Sequence, residues 1–239
     1  MDEKVFAGLI DICRRYILSH EHGVIIPEPY VPFVPPRWNG ILVLGEAQNL
    51  ATDRTGYREW IEGCDREKRF RRLPRDHERI GVKHWDDGSL PVALSAALIA
   101  APNQTSVSNA VLWSQSTAQG RNANPSEALL EKSAEIWSEM LLIIRPKTVV
   151  AAGSKAKAVI TKAMERARIN NVPTKFWRLP SPQTMSRISG MFSTTDLLSR
   201  YPEVARIAES NPHWFEDGNR PNKIFFACHA VSIESKGSA

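Results

Sequence analysis

The apolar positions along the chain alternate between stretches with helical spacing and short continuous runs. Residues 3–20 carry apolar residues three and four positions apart, which predicts a first helix. The same spacing or an alanine-rich composition predicts further helices over 91–101, Asn124–Ile144, Gly153–Ala167 and Phe192–Ser210. Four short runs between them are typical of strands: Ile41–Leu44, Ser106–Trp113, Thr148–Ala152 and Thr174–Arg178.

This alternation of strands with helices is typical of an α/β fold with a parallel sheet. Three of the four strand segments are short and apolar, as expected for strands that are covered on both faces. We therefore expect a three-layer α/β/α sandwich with a central four-stranded parallel sheet. Binding sites in such sheets form outside the carboxyl ends of the strands. Glu46, the segment after Asn109 and the segment after Arg178 follow predicted strand ends, so we expect them to meet at one edge.

The length of 239 residues fits one large domain, with two small domains as the alternative. Within this single domain, residues 1–36 form a helix and a proline-rich extended lead-in, and residues 50–90 are polar and irregular. The polar tail 232–239 is expected to be disordered. The three cysteines, Cys13, Cys64 and Cys228, exclude a disulfide framework and a four-cysteine cluster. No signal peptide or membrane-spanning run is visible, so we expect a cytoplasmic protein, monomeric and without a membrane partner.

A basic segment lies between the first two strands. It contains eight lysines and arginines against four acidic residues, a net charge of +4 in a chain whose net charge is +5. Such a segment tracks a DNA backbone or forms a solvated loop. Arg69, Arg71 and Arg72, at its centre around Phe70, are the candidate phosphate ligands.

The stretch Ile41-Leu-Val-Leu-Gly45-Glu46-Ala47-Gln48-Asn49 places a carboxylate directly after a predicted strand and a glycine. One interpretation is a solvated glutamate, or a residue in the first turn of a helix. The other is a catalytic carboxylate that the turn at Gly45 points into a cleft.

Three blocks, in the right order, resemble motifs of the uracil-DNA glycosylase superfamily. Gly45-Glu46-Ala47-Gln48-Asn49 resembles the GEAPG water-activating motif of family 4 enzymes. The segments 108–111, 122–127 and 145–153 together resemble their TNVVK, NRTPTPEE and RPKVVVALG stretch. The loop from Leu179 to Arg187 is similar to their HPSP loop and to the NPSGLSR loop of the mismatch-specific branch.

The resemblance implies a monofunctional DNA glycosylase that flips a base and hydrolyses its N-glycosidic bond, leaving an abasic site and using no metal or cofactor. Glu46 would then activate water and stabilise the cationic sugar, and Asn109 would read the base edge. Gln48 and Asn49 replace the motif's proline and glycine in the base pocket. Tyr57 is the candidate for stacking on the flipped base, with Trp85 as a competitor.

The loop after the fourth strand is the candidate for contact with the DNA minor groove. Met185 would fill the space that the flipped base leaves. Phosphates would be bound by Ser181, Ser186 and Arg187, with Pro182 stiffening the loop. The alternative is a proline-stiffened surface turn.

Two departures from the family pattern bear on the substrate. The iron–sulfur cluster of family 4 enzymes has no ligands here, and Leu179 replaces the histidine that opens the HPSP loop. Loss of such a donor costs on the order of a hundredfold in rate. An apolar residue suits a modified pyrimidine better than plain uracil. Repair of damaged pyrimidines, excision of hypermodified phage bases as antiviral defence, and a DNA-binding protein without catalysis remain open alternatives.

Two weaker patterns carry no prediction of a site. Cys64, His77 and His84 are too scattered for a metal site. The stretch Gly153-Ser154-Lys155 follows a strand but lacks the full phosphate-loop pattern.

Overall fold

The computed structural model describes ten parts of the chain: residues 3–19, 23–32, 34–47, 57–70, 89–98, 100–117, 120, 123–177, 187–215 and 220–237. The strands are β1 (Ile41–Ala47), β2 (Ser106–Val111), β3 (Thr148–Ala152) and β4 (Thr174–Trp177). The helices are α1 (Glu3–Arg15), α2 (Tyr57–Glu62), α3 (Arg66–Phe70), α4 (Ser89–Ala97), α5 (Glu127–Ile144), α6 (Ser154–Ala167), α7 (Thr194–Arg200), α8 (Pro202–Ser210) and α9 (Arg220–Gly237). No helix among the described residues has the length and apolarity needed to cross a bilayer.

The chain divides into two compact units. The first unit comprises 1–75 and 105–176, and the second comprises 76–104 and 177–239. The single domain over 1–239 stays a prediction.

The four strands form one parallel sheet in the order β2-β1-β3-β4, surrounded by helices. β1 pairs with β2 in the register Leu44 with Ser108 and Gly45 with Asn109. On its other side β1 pairs with β3, with Leu44 opposite Ala151. The predicted α/β class with a central four-stranded parallel sheet is confirmed.

The core of the first unit lies between the sheet and the helices α1, α5 and α6. Leu42 and Leu44 of β1 and Val149 of β3 are fully buried there. Trp137 of α5 is also fully buried, and its indole N–H donates to the carbonyl of Ala110 in β2 at 2.8 Å. This bond satisfies the one polar group of a large core side chain and fixes α5 against the sheet.

The second unit has its own helical core. Val92 of α4, Val204 of α8 and Ile224 of α9 are buried together with Cys228. Burial, and secondarily the charge of Glu203, raises the pKa of the Cys228 thiol to about 12. The thiol is therefore neutral near pH 7 and serves as a small core residue rather than a nucleophile.

Several predicted boundaries along the chain differ in the structure. The predicted strand ended at Leu44, whereas β1 continues to Ala47. The irregular region predicted over 50–90 contains α2 and α3, and α4 begins at Ser89. Phe70, at the centre of the basic segment that was expected to track a DNA backbone or to form a solvated loop, is fully buried, which anchors the short helix α3.

The carboxyl-terminal region differs more. The single helix predicted over Phe192–Ser210 is two helices, because Pro202 begins α8 and its missing N–H cannot continue α7. The helix α9 was not predicted, since its continuous apolar run lacks a clear helical period. The helix α9 extends to Gly237. The prediction of a disordered tail over 232–239 is therefore wrong for residues 232–237.

The amino-terminal cap of α5 provides a test of the fold. Ser126 accepts the Leu129 N–H at 3.3 Å, so Ser126→Ala should lower the free energy of unfolding by about 1 kcal/mol in a urea titration. Ser138→Ala is the control, because that hydroxyl only donates back to the Glu135 carbonyl within the same helix. We expect it to change stability by less than about 0.5 kcal/mol. Equal losses in both variants would contradict the capping role.

Candidate active site

The strand order reverses at β1, because β2 lies on one side of it and β3 on the other. In open parallel sheets, ligands bind at such a reversal, in the crevice outside the carboxyl ends of the strands. Glu46 is the second-last residue of β1, and Gly153 directly follows β3. The candidate site therefore lies at the ends of these two neighbouring strands, within the first unit.

Glu46 is partly exposed, and its carboxylate caps the first turn of α6. Its Oε1 accepts the backbone N–H of Lys155 at 3.1 Å. Gly153 is the N-cap residue of α6 and has no side chain to fill that role. The partial positive charge at a helix amino terminus favours a carboxylate in this position. Oε2 makes no hydrogen bond to the described part of the chain, so one oxygen is held and the other is available.

Lys155 also connects this helix end to the segment before α5. Its ammonium group donates to Oδ1 of Asn124 at 2.8 Å. Lys155 thus uses its backbone to hold Glu46 and its side chain to hold Asn124. The two bonds join three separate segments around the amino terminus of α6.

Asn109 lies in β2, two residues before the end of that strand, and pairs with Gly45. Its backbone N–H donates to the hydroxyl of the fully buried Tyr30 at 2.9 Å. The Asn109 side chain is partly exposed and makes no hydrogen bond within the described ranges. Its amide is therefore free to bind a ligand through both a donor and an acceptor.

The structure brings Glu46 and Asn109 to the same edge of the sheet, on adjacent strands. Glu46 lies inside β1, not beyond it as predicted, and Asn109 lies inside β2, within the strand predicted over Ser106–Trp113. Because Asn109 pairs with Gly45, the alternation of side chains along a strand directs Glu46 and Asn109 to different faces. The two groups thus flank the end of the sheet and make no bond to each other.

Most other predicted site residues lie outside the described residues. Tyr57 begins α2, but its side chain is also outside them. The third predicted segment, after β4, falls there as well except for its last residue, Arg187. The residues concerned are Gln48, Asn49, Arg71, Arg72, Leu179, Ser181, Pro182, Met185 and Ser186.

Arg69 makes bonds within the protein. Its guanidinium donates to the carbonyls of Glu62 and Cys64 at 2.9 and 3.0 Å and pairs with the buried carboxylate of Glu28 at 3.5 Å. These bonds connect α3 to segment 23–32 and give Arg69 a structural role. Its predicted contact with phosphate has no support in this arrangement. Arg187, in the second unit, is exposed, as a phosphate ligand would need to be.

A metal site and a binding cavity in the second unit are less well supported than the site at Glu46. Among the residues that the structure describes, no three His, Cys, Asp or Glu side chains are placed to hold a metal ion. A cavity of about 460 Å³ in the second unit is lined by apolar residues such as Ile207 and Val231 and by Glu203, Arg206 and Glu234. None of the predicted site residues lines it.

Sequence reasoning missed the roles of Gly153, Lys155 and Tyr30. The only available signal for the first two was a glycine directly after a strand and before a helix. That signal could not reveal the contact with Glu46, because the contact depends on β3 being the neighbour of β1.

The capping role of Glu46 predicts a graded loss of stability. Glu46→Gln keeps an acceptor oxygen and loses only the favourable charge, so we expect a loss of about 0.3–1 kcal/mol in the free energy of unfolding. Glu46→Ala removes the cap and should cost about 1–2 kcal/mol. Urea titrations of both variants against wild type would measure this. An alanine variant as stable as wild type would contradict the cap.

Comparison with known families found no family model that matches the chain, and a search of curated proteins found no match either. The assignment of the site therefore depends on its geometry and on the motif resemblance given above.

Proposed function

We propose that this chain is a monofunctional DNA glycosylase that removes a damaged or modified base and leaves an abasic site. The proposal depends on the position and the hydrogen bonding of the Glu46 carboxylate. Its carboxylate is partly exposed at the reversal point of a parallel sheet, with one oxygen held by the Lys155 N–H and the other unbonded within the described chain. Hydrolysis through an oxocarbenium-like sugar uses a carboxylate that activates water or faces the cation, and a fixed carboxylate with one available oxygen suits this task.

The chemistry would proceed through a sugar with oxocarbenium character. The bond between C1′ and the base breaks, and the base leaves with the electron pair. The available oxygen of Glu46 faces the positive charge that develops on the sugar and accepts a proton as water adds to C1′. The departing base takes up one proton from solvent, and Glu46 releases the proton that it accepted from water, so the products are the free base and an abasic site and the carboxylate is regenerated. Because the Lys155 N–H already fixes the carboxylate, little reorganisation is needed when the charge develops.

Asn109 is the proposed reader of the base. Its amide offers a donor and an acceptor, which suits a pyrimidine edge. Its structural bond to Tyr30 uses only the backbone N–H, so the side chain is free for recognition. Gln48 and Asn49 complete the proposed pocket by their position in the motif, and Leu179 favours a modified pyrimidine over plain uracil. This activity would serve one of two biological roles: repair of damaged pyrimidines, or antiviral excision of hypermodified phage bases.

The remaining partners follow from this activity. DNA, single- or double-stranded, is the proposed partner, and the exposed guanidinium of Arg187 is a proposed phosphate contact. The protein would act as a cytoplasmic monomer without a cofactor.

A DNA-binding protein without catalysis is the second candidate, and one observation favours it. The bond from Lys155 to Glu46 is a helix cap, and capping alone explains a carboxylate at this position. In that case Glu46 would contribute to stability only.

A cleavage assay separates the two candidates. DNAs containing uracil, hydroxymethyluracil, hypoxanthine or phage-modified cytosines are incubated with the protein, and abasic sites are revealed by alkaline strand cleavage. We expect wild type to act on at least one modified pyrimidine. Glu46→Gln, which keeps an acceptor for the cap, should lower the single-turnover rate by on the order of a hundredfold or more.

Glu165→Gln is the matched control, since Glu165 is an exposed carboxylate on α6 in the same unit. It should cleave at the wild-type rate. Equal rates for wild type and Glu46→Gln would contradict the catalytic role. DNA binding without abasic sites on any base would favour the binding protein.

A further inference from the structure

Gly153 leaves the space that the Glu46 carboxylate fills. A Cβ atom placed on Gly153 would lie 2.6 Å from Oε1 of Glu46, 2.7 Å from Cγ and 2.8 Å from Cδ. Favourable contacts between carbon atoms need about 3.5–4.0 Å. Any side chain at position 153 would therefore push Glu46 out of its present place.

The backbone at Gly153 also requires glycine. Its φ of 108° and ψ of 162° fall in a region that is essentially restricted to glycine. This conformation turns the chain from β3 into α6. The N–H of Lys155, in the first turn, then meets the Glu46 carboxylate that approaches from β1.

We propose that Gly153 is a positioning residue for the reaction, which makes this inference dependent on the proposed function. Its missing side chain lets Glu46 lie against the first turn of α6, with Oε1 on the Lys155 N–H and Oε2 available to water and the sugar. Because a Cβ there would lie 2.6 Å from Oε1 and favourable contacts need about 3.5 Å or more, a methyl group at position 153 would move the carboxylate by roughly 1 Å. A misplacement of this size can cost on the order of a hundredfold in rate.

The chain offers a control for a side chain placed at a positive φ. Gly120 also has a positive φ, of 70°, but a Cβ there would meet nothing within 4 Å. Gly120→Ala therefore introduces strain at a positive φ without displacing a side chain. Both glycines belong to the first unit.

The first experiment compares Gly153→Ala with Gly120→Ala on the base that wild type removes. We expect Gly153→Ala to lower the single-turnover rate by on the order of a hundredfold while the Kd for DNA stays within about twofold of wild type. Gly120→Ala should keep the wild-type rate. Rates for the two variants within about threefold of each other would overturn the proposal.

The second experiment needs no catalysis and uses thermal unfolding of wild type, Gly153→Ala, Glu46→Ala and the double variant. If the new methyl group clashes with Glu46, Gly153→Ala should lower the Tm of wild type more than it lowers the Tm of Glu46→Ala. We expect the two losses of Tm to differ by at least about 2 °C. Gly120→Ala should lower Tm equally in wild type and in Glu46→Ala.

If the Tm loss of the Gly153→Ala and Glu46→Ala double variant equals the sum of the two single losses, the positioning role of Gly153 is overturned, even if the enzyme is active. A wild type that removes no base would overturn the proposed function, and the cycle would then test the contact alone.

Discussion

The backbone N–H of Lys155 donates to the carboxylate of Glu46, and this bond joins the end of β1 to the beginning of α6. It forms because β1 and β3 are neighbours in the sheet and because Gly153 turns the chain directly from β3 into the helix. The carboxylate satisfies a donor that no side chain of the N-cap residue can satisfy. The position of Glu46 thus follows from the sheet order and from the glycine together.

In the function that we propose, one carboxylate would perform two tasks. Oε1 caps the helix, and Oε2 would serve the proposed chemistry. A capped helix holds the group in one orientation, which a catalytic carboxylate needs in order to face a charge that exists only in the transition state. Asn109 belongs to the adjacent strand, and its backbone N–H is bonded to Tyr30, which leaves the side-chain amide without a hydrogen bond in the described part of the chain. Both proposed functional residues are therefore fixed by a bond, Glu46 through one carboxylate oxygen and Asn109 through its backbone, that leaves other polar atoms of the side chain unbonded within the described chain.

Much of the fold was predictable from local patterns, and the site only in part. The bounds of β3 and the ends of α5 and α6 follow from apolar runs and helical spacing, and Glu46 and Asn109 were selected by motif. The strand order was not predictable, since it depends on long-range pairing. For that reason the contact between Gly153 and Glu46 was missed. The helices α3 and α9 were missed because the buried Phe70 lies in a basic run and α9 has no clear periodicity.

The most direct test of the central claim is a binding measurement that does not depend on which base is removed. Duplex DNA with a pyrrolidine abasic analogue, whose ring nitrogen is protonated at neutral pH, mimics the cationic sugar, and tetrahydrofuran is its neutral counterpart. Wild type should bind the cationic analogue more tightly by on the order of a hundredfold, and Glu46→Gln should lose most of this preference. The same preference in both proteins would contradict a Glu46 carboxylate that faces the sugar.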